Sequence, residues 1–221
     1  MLPLKSITRS KTLFLDFDGV IKDSVDLKGV AFEQLFLAQG KKVCERIRAH
    51  HESNGGMSRN EKLPIYLDWA GLTTQHNTLE EYSSKFSKLV KQKVIDCEWV
   101  SGIETFLHTN PFSQNFFIIT ATPQSEIDQI VDALGLRSCF TEVIGAPINK
   151  KDAIYKLIER YDIDKKLSVM IGDSISDYEA AIENRIDFIL RKTKFNQSLQ
   201  NRLKCPMIKD FLYLNKELSD G

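Results

Sequence analysis

Short apolar runs alternate with stretches of helical spacing along most of this chain. The runs predict buried strands at residues 12–15, 116–119, 142–144, 168–171 and 187–190. Between the last four runs, apolar residues recur every three or four positions, which predicts helices over residues 124–134, 152–161 and 177–184. Strands that alternate with helices predict an α/β fold, in which helices cover both faces of a parallel five-stranded sheet.

A long segment between the first and second runs breaks this rhythm. Residues 23–100 contain no convincing strand pattern, but they have helical patterns at 30–37, 43–50, 61–69 and 79–94. A crossover between parallel strands needs only about a dozen residues. We therefore predict an inserted helical domain at residues 23–100, with residues 1–22 and 101–221 forming the core domain.

Composition narrows the class of protein. Of the 221 residues, 42% are hydrophobic and 27% are charged, which excludes disordered and collagen-like chains. Thirty basic residues balance thirty acidic ones, so we expect neither nucleic acid nor a membrane as partner. The first residues lack the apolar core of a secretory signal, and the four cysteines show no metal or disulfide spacing, so we expect a cytoplasmic protein. The pattern predicts no oligomeric state.

Two acidic clusters follow predicted strands. Asp16 and Asp18 follow the first strand, and Asp173 and Asp177 follow the fourth. Ligands of open parallel sheets bind beyond the carboxyl ends of the strands, and clustered carboxylates suit a magnesium ion. The alternative is structural, with solvated loop aspartates in the first cluster and a helix N-cap at Ser176 or Asp177 in the second.

Groups suited to an anion follow two other strands. The second strand ends in Thr120 and Ala121 and leads into a helix, whose free amides can bind an anion. Lys150 and Lys151 precede the helix after the third strand. The alternatives are a helix cap at the first position and solvated lysines at the second.

These four segments resemble the four motifs of the haloacid dehalogenase superfamily, in the family's order. They are Asp16-x-Asp18-Gly19-Val20, Thr120, Lys150 and Gly172-Asp173-Ser174-x-x-Asp177. The resemblance spans residues 12–190, and it implies a Rossmann-like core in which the insertion is a helical cap of type 1. It also implies a Mg²⁺-dependent phosphatase acting on a small phosphorylated metabolite, such as a sugar phosphate.

The resemblance assigns a role to each matching residue. Asp16 would be the nucleophile that forms an aspartyl phosphate, and Asp18 would be the general acid and base. Thr120 and the Ala121 amide would hold the phosphoryl oxygens, and Lys150, preferred to Lys151, would stabilise their charge. The metal ligands would be Asp16, Asp173 and the Asp18 carbonyl, with Asp177 in support. An acid at Asp18 indicates phosphate esters, because the branch that releases halide lacks one.

The cap and the alternatives carry further expectations. Gly56-Met57-Ser58-Arg59 resembles the substrate loop of β-phosphoglucomutase-like members, so Arg59 would bind a second anionic group of the substrate. Alternatively, Ser58 and Glu61 form a capping box and Arg59 is solvated.

A phosphosugar mutase is the second functional candidate, but residues 21–30 lack the histidine of that group. A non-catalytic module that binds a phosphorylated ligand is the third, and a response-regulator receiver has a different order of groups.

Overall fold

A parallel sheet of six strands forms the centre of the molecule. The computed structural model describes residues 2–216, with side chains from residue 4 to residue 214. The strands are β1 (Thr12–Leu15), β2 (Asn115–Pro123), β3 (Glu142–Ala146), β4 (Ser168–Gly172), β5 (Asp187–Arg191) and β6 (Met207–Ile208). Their order is β3-β2-β1-β4-β5-β6, and every neighbouring pair is parallel.

The α/β class is confirmed, but the predicted number of strands is one too low. The additional strand, β6, has two residues and lies at the edge of the sheet beside β5. A strand this short has no apolar run of its own, and its pairing with Leu190 and Arg191 defines it. The order reverses direction at β1, which places β2 on one side and β4 on the other, the arrangement at which ligands bind in such sheets.

Eleven α-helices surround the sheet in the described part of the chain. They are α1 (Leu2–Arg9), α2 (Val25–Leu35), α3 (Lys41–Ser53), α4 (Arg59–Trp69), α5 (His76–Asp96), α6 (Ile103–Thr109), α7 (Gln124–Ala133), α8 (Lys150–Tyr161), α9 (Ile175–Asn184), α10 (Gln197–Arg202) and α11 (Leu212–Lys216). Four of them, α2–α5, occupy the segment where the sequence predicts only helices. None of the described helices combines the length and apolar content that a membrane crossing requires.

Alternating side chains of the strands bury both faces of the sheet. Phe14 packs on one face, with α8 and α9, whereas Leu13 and Leu15 pack on the other. The apolar cluster that contains Leu13 and Leu15 continues into the inserted helices through Phe32, Tyr66 and other side chains of α2–α5. The inserted helices therefore lie directly against the core.

The chain crosses into and out of the insertion at one place. Val100 donates its backbone N–H to the Ile21 carbonyl at 3.0 Å, and Asp23 donates to the Glu98 carbonyl at 2.9 Å. The Lys22 ammonium lies 4.3 Å from the centre of the Trp99 ring. These contacts tie the two connecting segments together next to the acidic end of β1.

Candidate active site

The first and fourth strands bring two aspartates together. β1 and β4 pair in parallel, and the Asp16 N–H donates to the Ile171 carbonyl at 3.0 Å. Asp16 and Asp173 each follow the last residue of their strand, so their side chains meet beyond the same sheet edge. One carboxylate oxygen from each of Asp16, Asp173 and Asp177 lies within 4.8 Å of the others.

Lys150 joins two of these carboxylates. Asn149 caps α8 by accepting from the Asp152 N–H at 2.8 Å, which makes Lys150 the first residue of the helix. The Lys150 Nζ lies 2.8 Å from Asp16 Oδ2 and 2.6 Å from Asp177 Oδ1. Asp16 and Asp177 outweigh the effect of burial and hold the pKa of Lys150 above its usual value. Lys151, in contrast, is exposed.

Asp177 also takes part in the capping box of the helix that follows β4. Ser174 is the N-cap of α9, and its backbone N–H donates to Asp177 Oδ2 at 3.1 Å. The structural alternative of a cap at Ser176 or Asp177 therefore had the right helix but the wrong cap residue. Asp177 is the third helical residue of a capping box, and this role is compatible with its contact to Lys150.

The carboxylates at the sheet edge have too few positive partners. Burial raises the pKa of Asp16 to about 7, although Lys150 lowers it. Burial and the charges of Asp16 and Asp177 raise the pKa of Asp173 well above its usual value. Hard oxygen donors that repel each other in this way suit a divalent cation such as Mg²⁺. Gly19 leaves room for the group, because a Cβ there would lie 2.3 Å from Asp173 Oδ2.

Asp18 is held in a separate network that faces the inserted helices. Ser24 Oγ donates to Asp18 Oδ1 at 2.6 Å, and Thr122 Oγ1 donates to Asp18 Oδ2 at 3.1 Å. The Lys28 ammonium also contacts Asp18 Oδ2. Burial raises the pKa of Asp18, but Lys28 and these hydrogen bonds outweigh burial and leave the pKa below its usual value. These contacts therefore favour the carboxylate form of Asp18.

A cavity between the sheet edge and the inserted helices contains these groups. Its volume is about 60 Å³. Because one water needs roughly 10–15 Å³, the cavity has room for several waters. The core wall carries Asp16, Asp18, Thr120, Ala121, Lys150 and Asp173. The opposite wall belongs to the inserted segment, and we call it the cap wall. It carries Lys28, Phe32, His51, Met57, Lys62 and Phe86. Thr120 is 1% exposed, and the whole arrangement suits a small molecule with an anionic end.

The loop between α3 and α4 (residues 54–58), which we call the cap loop, lies against the loop that follows β4. A Cβ on Gly56 would lie 1.8 Å from Ser176 Oγ and 2.6 Å from Ser174 Oγ. Only a residue without a side chain allows this approach. The backbone of the loop at Gly56 therefore lies directly against Ser174 and Ser176.

Arg59 lines the cavity, but its guanidinium is bound to protein groups. Its Nη2 donates to the Glu126 carboxylate oxygens at 2.7 and 2.9 Å, and its Nη1 donates to Ser87 Oγ at 2.5 Å. Both side chains of the ion pair are 5% exposed. The capping box of Ser58 and Glu61 is also present. A role for Arg59 in binding substrate stays a prediction, and the observed contact connects α4 to α7.

Several residues at the cavity were not predicted from the sequence. Lys28 and Lys62 lie on helices and carry no motif, and Ser24 and Thr122 look like ordinary loop hydroxyls. His51 is one of two adjacent histidines on α3, whose side chains face different directions, so no ligand spacing singles it out. One signal was available, since Lys62 follows Arg59 by three positions and so shares its face of α4.

The comparison with families settles the class. A family model described as haloacid dehalogenase-like hydrolase matches residues 13–191. The chain belongs to this family of hydrolases. No curated protein matches the chain. The family match contains all four segments from which the resemblance was drawn, together with the inserted helices between the first two.

Solved structures share the fold of this family member. β-Phosphoglucomutase from Clostridium difficile aligns with a TM-score of 0.71 at 17% identity, covering 96% of this chain and 98% of its own. CbbY from Rhodobacter sphaeroides, in complex with phosphate, aligns at 0.73 and 15%, covering 91% and 95%. A predicted phosphoglycolate phosphatase from Haemophilus somnus aligns at 0.72 and 14%, covering 95% and 98%. At these identities the likeness shows the fold alone.

Proposed function

We propose that this family member is a Mg²⁺-dependent phosphatase that hydrolyses a small phosphate monoester through a phosphorylated Asp16. The observation that carries the proposal is the contact of Lys150 with Asp16 in a cavity that also contains Asp18 and Thr120. The printed names of the similar structures, which include a phosphoglycolate phosphatase and a phosphate complex, agree with this substrate class. In this proposal residues 23–100 form the cap and the remainder forms the core.

Asp16 would carry the covalent step. Its Oδ1 accepts from the Phe17 N–H at 2.7 Å and its Oδ2 contacts Lys150, so both carboxylate oxygens are fixed in place. An oxygen of Asp16 attacks phosphorus, the ester P–O bond breaks, and the departing oxygen leaves as an alcohol after it receives a proton. Thr120 and the Ala121 amide hold the phosphoryl oxygens, and Lys150 balances their charge.

Asp18 would move the protons. It protonates the leaving oxygen in the first step, and in the second it takes a proton from the water that attacks phosphorus and releases Asp16. The carboxylate form, which Lys28 and the hydrogen bonds to Asp18 favour, suits the second step directly. For the first step Asp18 must be protonated before it donates to the leaving oxygen, and the negative charge of a bound phosphate ester next to Asp18 would favour that protonation.

Bound Mg²⁺ would supply neutralisation of the phosphoryl charge and of the clustered carboxylates. The residues that would hold it are Asp16, Asp173 and the Asp18 carbonyl, with Asp177 in support through its contacts with Ser174 and Lys150. Their unbalanced negative charge is the property that supports this assignment.

The test is release of inorganic phosphate from a panel of sugar phosphates, phosphoglycolate and p-nitrophenyl phosphate, with and without Mg²⁺. We expect release that depends on Mg²⁺ and is abolished by Asp16→Asn, which keeps the shape of the side chain but removes the nucleophile. Asp68→Asn, an exposed change on α4, is the matched control and should retain activity. Isomerised sugar phosphate without release would identify a mutase, and binding without turnover would identify a non-catalytic module.

A further inference from the structure

The cap wall of the cavity carries a lysine without an acidic partner. Lys62 is 1% exposed, and its one hydrogen-bond partner among the described residues is His51 Nδ1, at 3.0 Å. The two other buried lysines among the described residues have partners that balance or accept from the ammonium group. Lys150 has two carboxylates, and Lys22 has a backbone carbonyl and an indole ring. Lys62 therefore lacks the counter-ion that a buried ammonium normally has.

The surroundings of Lys62 increase this shortage of negative charge. Burial and the ammonium of Lys28, on α2, lower the pKa of Lys62 to about 7. Glu61 on its own helix and the core residues Asp18 and Asp173 act in the opposite direction, but with less effect. Asp18 is already paired with Lys28. An anion that entered the cavity next to Lys62 would find an unbalanced positive charge.

His51 orients the ammonium and leaves its other protons available. Burial, together with Lys62, lowers the pKa of His51 well below its usual value, so the ring is neutral and Nδ1 accepts one N–H. Its Nε2 is buried and has no hydrogen-bond partner among the described residues. The Val25 backbone raises the pKa of the ring, but with less effect than burial and Lys62. Two N–H bonds of Lys62 then remain without a described partner.

The position of Lys62 matches the second end of a substrate. Lys62 and His51 line the cap wall of the same cavity whose core wall carries Asp16, Thr120 and Lys150. A molecule with its phosphoryl group at Asp16 would present its other end to the cap wall. Arg59 also lines the cavity, and the resemblance predicts that it binds an anion. Its charge is already neutralised by Glu126, and both side chains are 5% exposed.

We infer that Lys62, oriented by His51, binds a second anionic group of the substrate, a carboxylate or a phosphate at the end remote from the reacting phosphoryl group. This inference rests on the proposed phosphatase function. A compact substrate with two anionic ends would satisfy Lys62 and place its phosphoryl group at Asp16. A phosphate ester with a neutral remote end would leave the ammonium desolvated and unpaired.

The experiment compares esters that share a two-carbon backbone. Phosphoglycolate ends in a carboxylate, ethylene glycol bisphosphate ends in a second phosphate, and 2-hydroxyethyl phosphate ends in a neutral hydroxyl. We expect Lys62→Met to lower kcat/KM on the preferred acidic ester roughly ten- to hundredfold more than on the hydroxyl ester, the range of a charged hydrogen bond. The two acidic esters distinguish the carboxylate from the phosphate as the group that binds.

Lys88→Met, an exposed change on α5, is the matched control and should leave the ratio of the two rates unchanged. Lys62→Gln repeats the measurement if the Met variant does not fold. An equal loss on acidic and neutral esters would overturn the inference, because Lys62 would then act on the reacting group or on cap packing. The absence of any loss, or a wild-type enzyme without preference for either acidic ester, would overturn it as well.

A binding measurement separates this inference from the proposed function. Calorimetry measures the affinities of phosphoglycolate and of ethylene glycol bisphosphate in the presence of Mg²⁺. The two proteins compared are Asp16→Asn and the double variant Asp16→Asn/Lys62→Met. Weaker binding in the double variant supports the anion subsite even if no ester is hydrolysed. Hydrolysis by the wild type, combined with equal affinities in the two variants, retains the phosphatase and rejects the subsite.

Discussion

The ion pair between Arg59 and Glu126 allows a test that separates two roles of Arg59. Arg59 is the first residue of α4, in the inserted helices, and Glu126 lies in the first turn of α7, in the core. The guanidinium donates two hydrogen bonds to one carboxylate, at 2.7 and 2.9 Å, and it lies 4.5 Å from the centre of the Phe86 ring. Arg59→Met removes the charge and keeps most of the apolar stem.

The magnitude follows from burial. Arg59→Met leaves the Glu126 carboxylate 5% exposed and with the Ser87 hydroxyl as its remaining described partner. Breaking one side of a buried ion pair costs about 3–5 kcal/mol, whereas replacement of both sides by apolar groups is often nearly neutral. We therefore expect Arg59→Met to lower the free energy of unfolding by about 3–5 kcal/mol, and we expect Arg59→Met/Glu126→Met to lower it less.

Urea unfolding of the wild type, both single variants and the double variant measures the coupling between the two residues. Arg137→Met is the matched control, because Arg137 pairs with Asp128 and Asp132 at 46% exposure and should contribute less than about 1 kcal/mol. If Arg59 joins cap and core, its loss should lower kcat/KM similarly on acidic and neutral esters. A stability change below about 0.5 kcal/mol with a selective loss on acidic esters would refute this reasoning and assign Arg59 to substrate binding.

Three further predictions concern the acid, the cap loop and the buried lysine. Asp18→Asn should slow hydrolysis of alkyl phosphates at least about tenfold more than that of p-nitrophenyl phosphate, whose leaving group needs little protonation; equal losses in steady-state rates would contradict the acid role. Gly56→Ala should lower kcat/KM at least about tenfold, since its Cβ would meet Ser176 Oγ at 1.8 Å and displace the cap loop; Gly55→Ala, with its nearest atom at 3.9 Å, is the control that should stay near wild type. Lys62→Met should increase stability to urea at pH 6, and the gain should shrink by roughly 2–3 kcal/mol at pH 9. The pKa of Lys62 is about 7 in the folded protein, below its usual value of 10.5. Between these two pH values the unfolded chain therefore binds more protons than the folded protein, and the wild type gains stability as the pH rises. A stability gain from Lys62→Met that did not depend on pH would exclude a buried titrating lysine.

The sequence alone determined the class of fold and the groups at the edge of the sheet. Apolar runs such as residues 116–119 are short and continuous, which favours buried strands, and in the structure this run lies within β2. Asp16, Lys150 and Asp173 follow β1, β3 and β4, and Thr120 lies near the end of β2. Because parallel strands end at one edge, their positions along the chain already imply that they approach each other in space.

Tertiary structure decided the pairing of charges inside the cavity. No spacing in the sequence relates Arg59 to Glu126, which lies 67 positions further along the chain, or Lys28 to Thr122. Helical periodicity identifies the face that is buried, but it does not distinguish a core position from one that lines a cavity, and Lys62 therefore looked like any charged residue of a helix. Its unpaired charge results from the packing of α2, α3 and α4 over the sheet edge, because that packing excludes water from the ammonium and places a histidine, not a carboxylate, next to it.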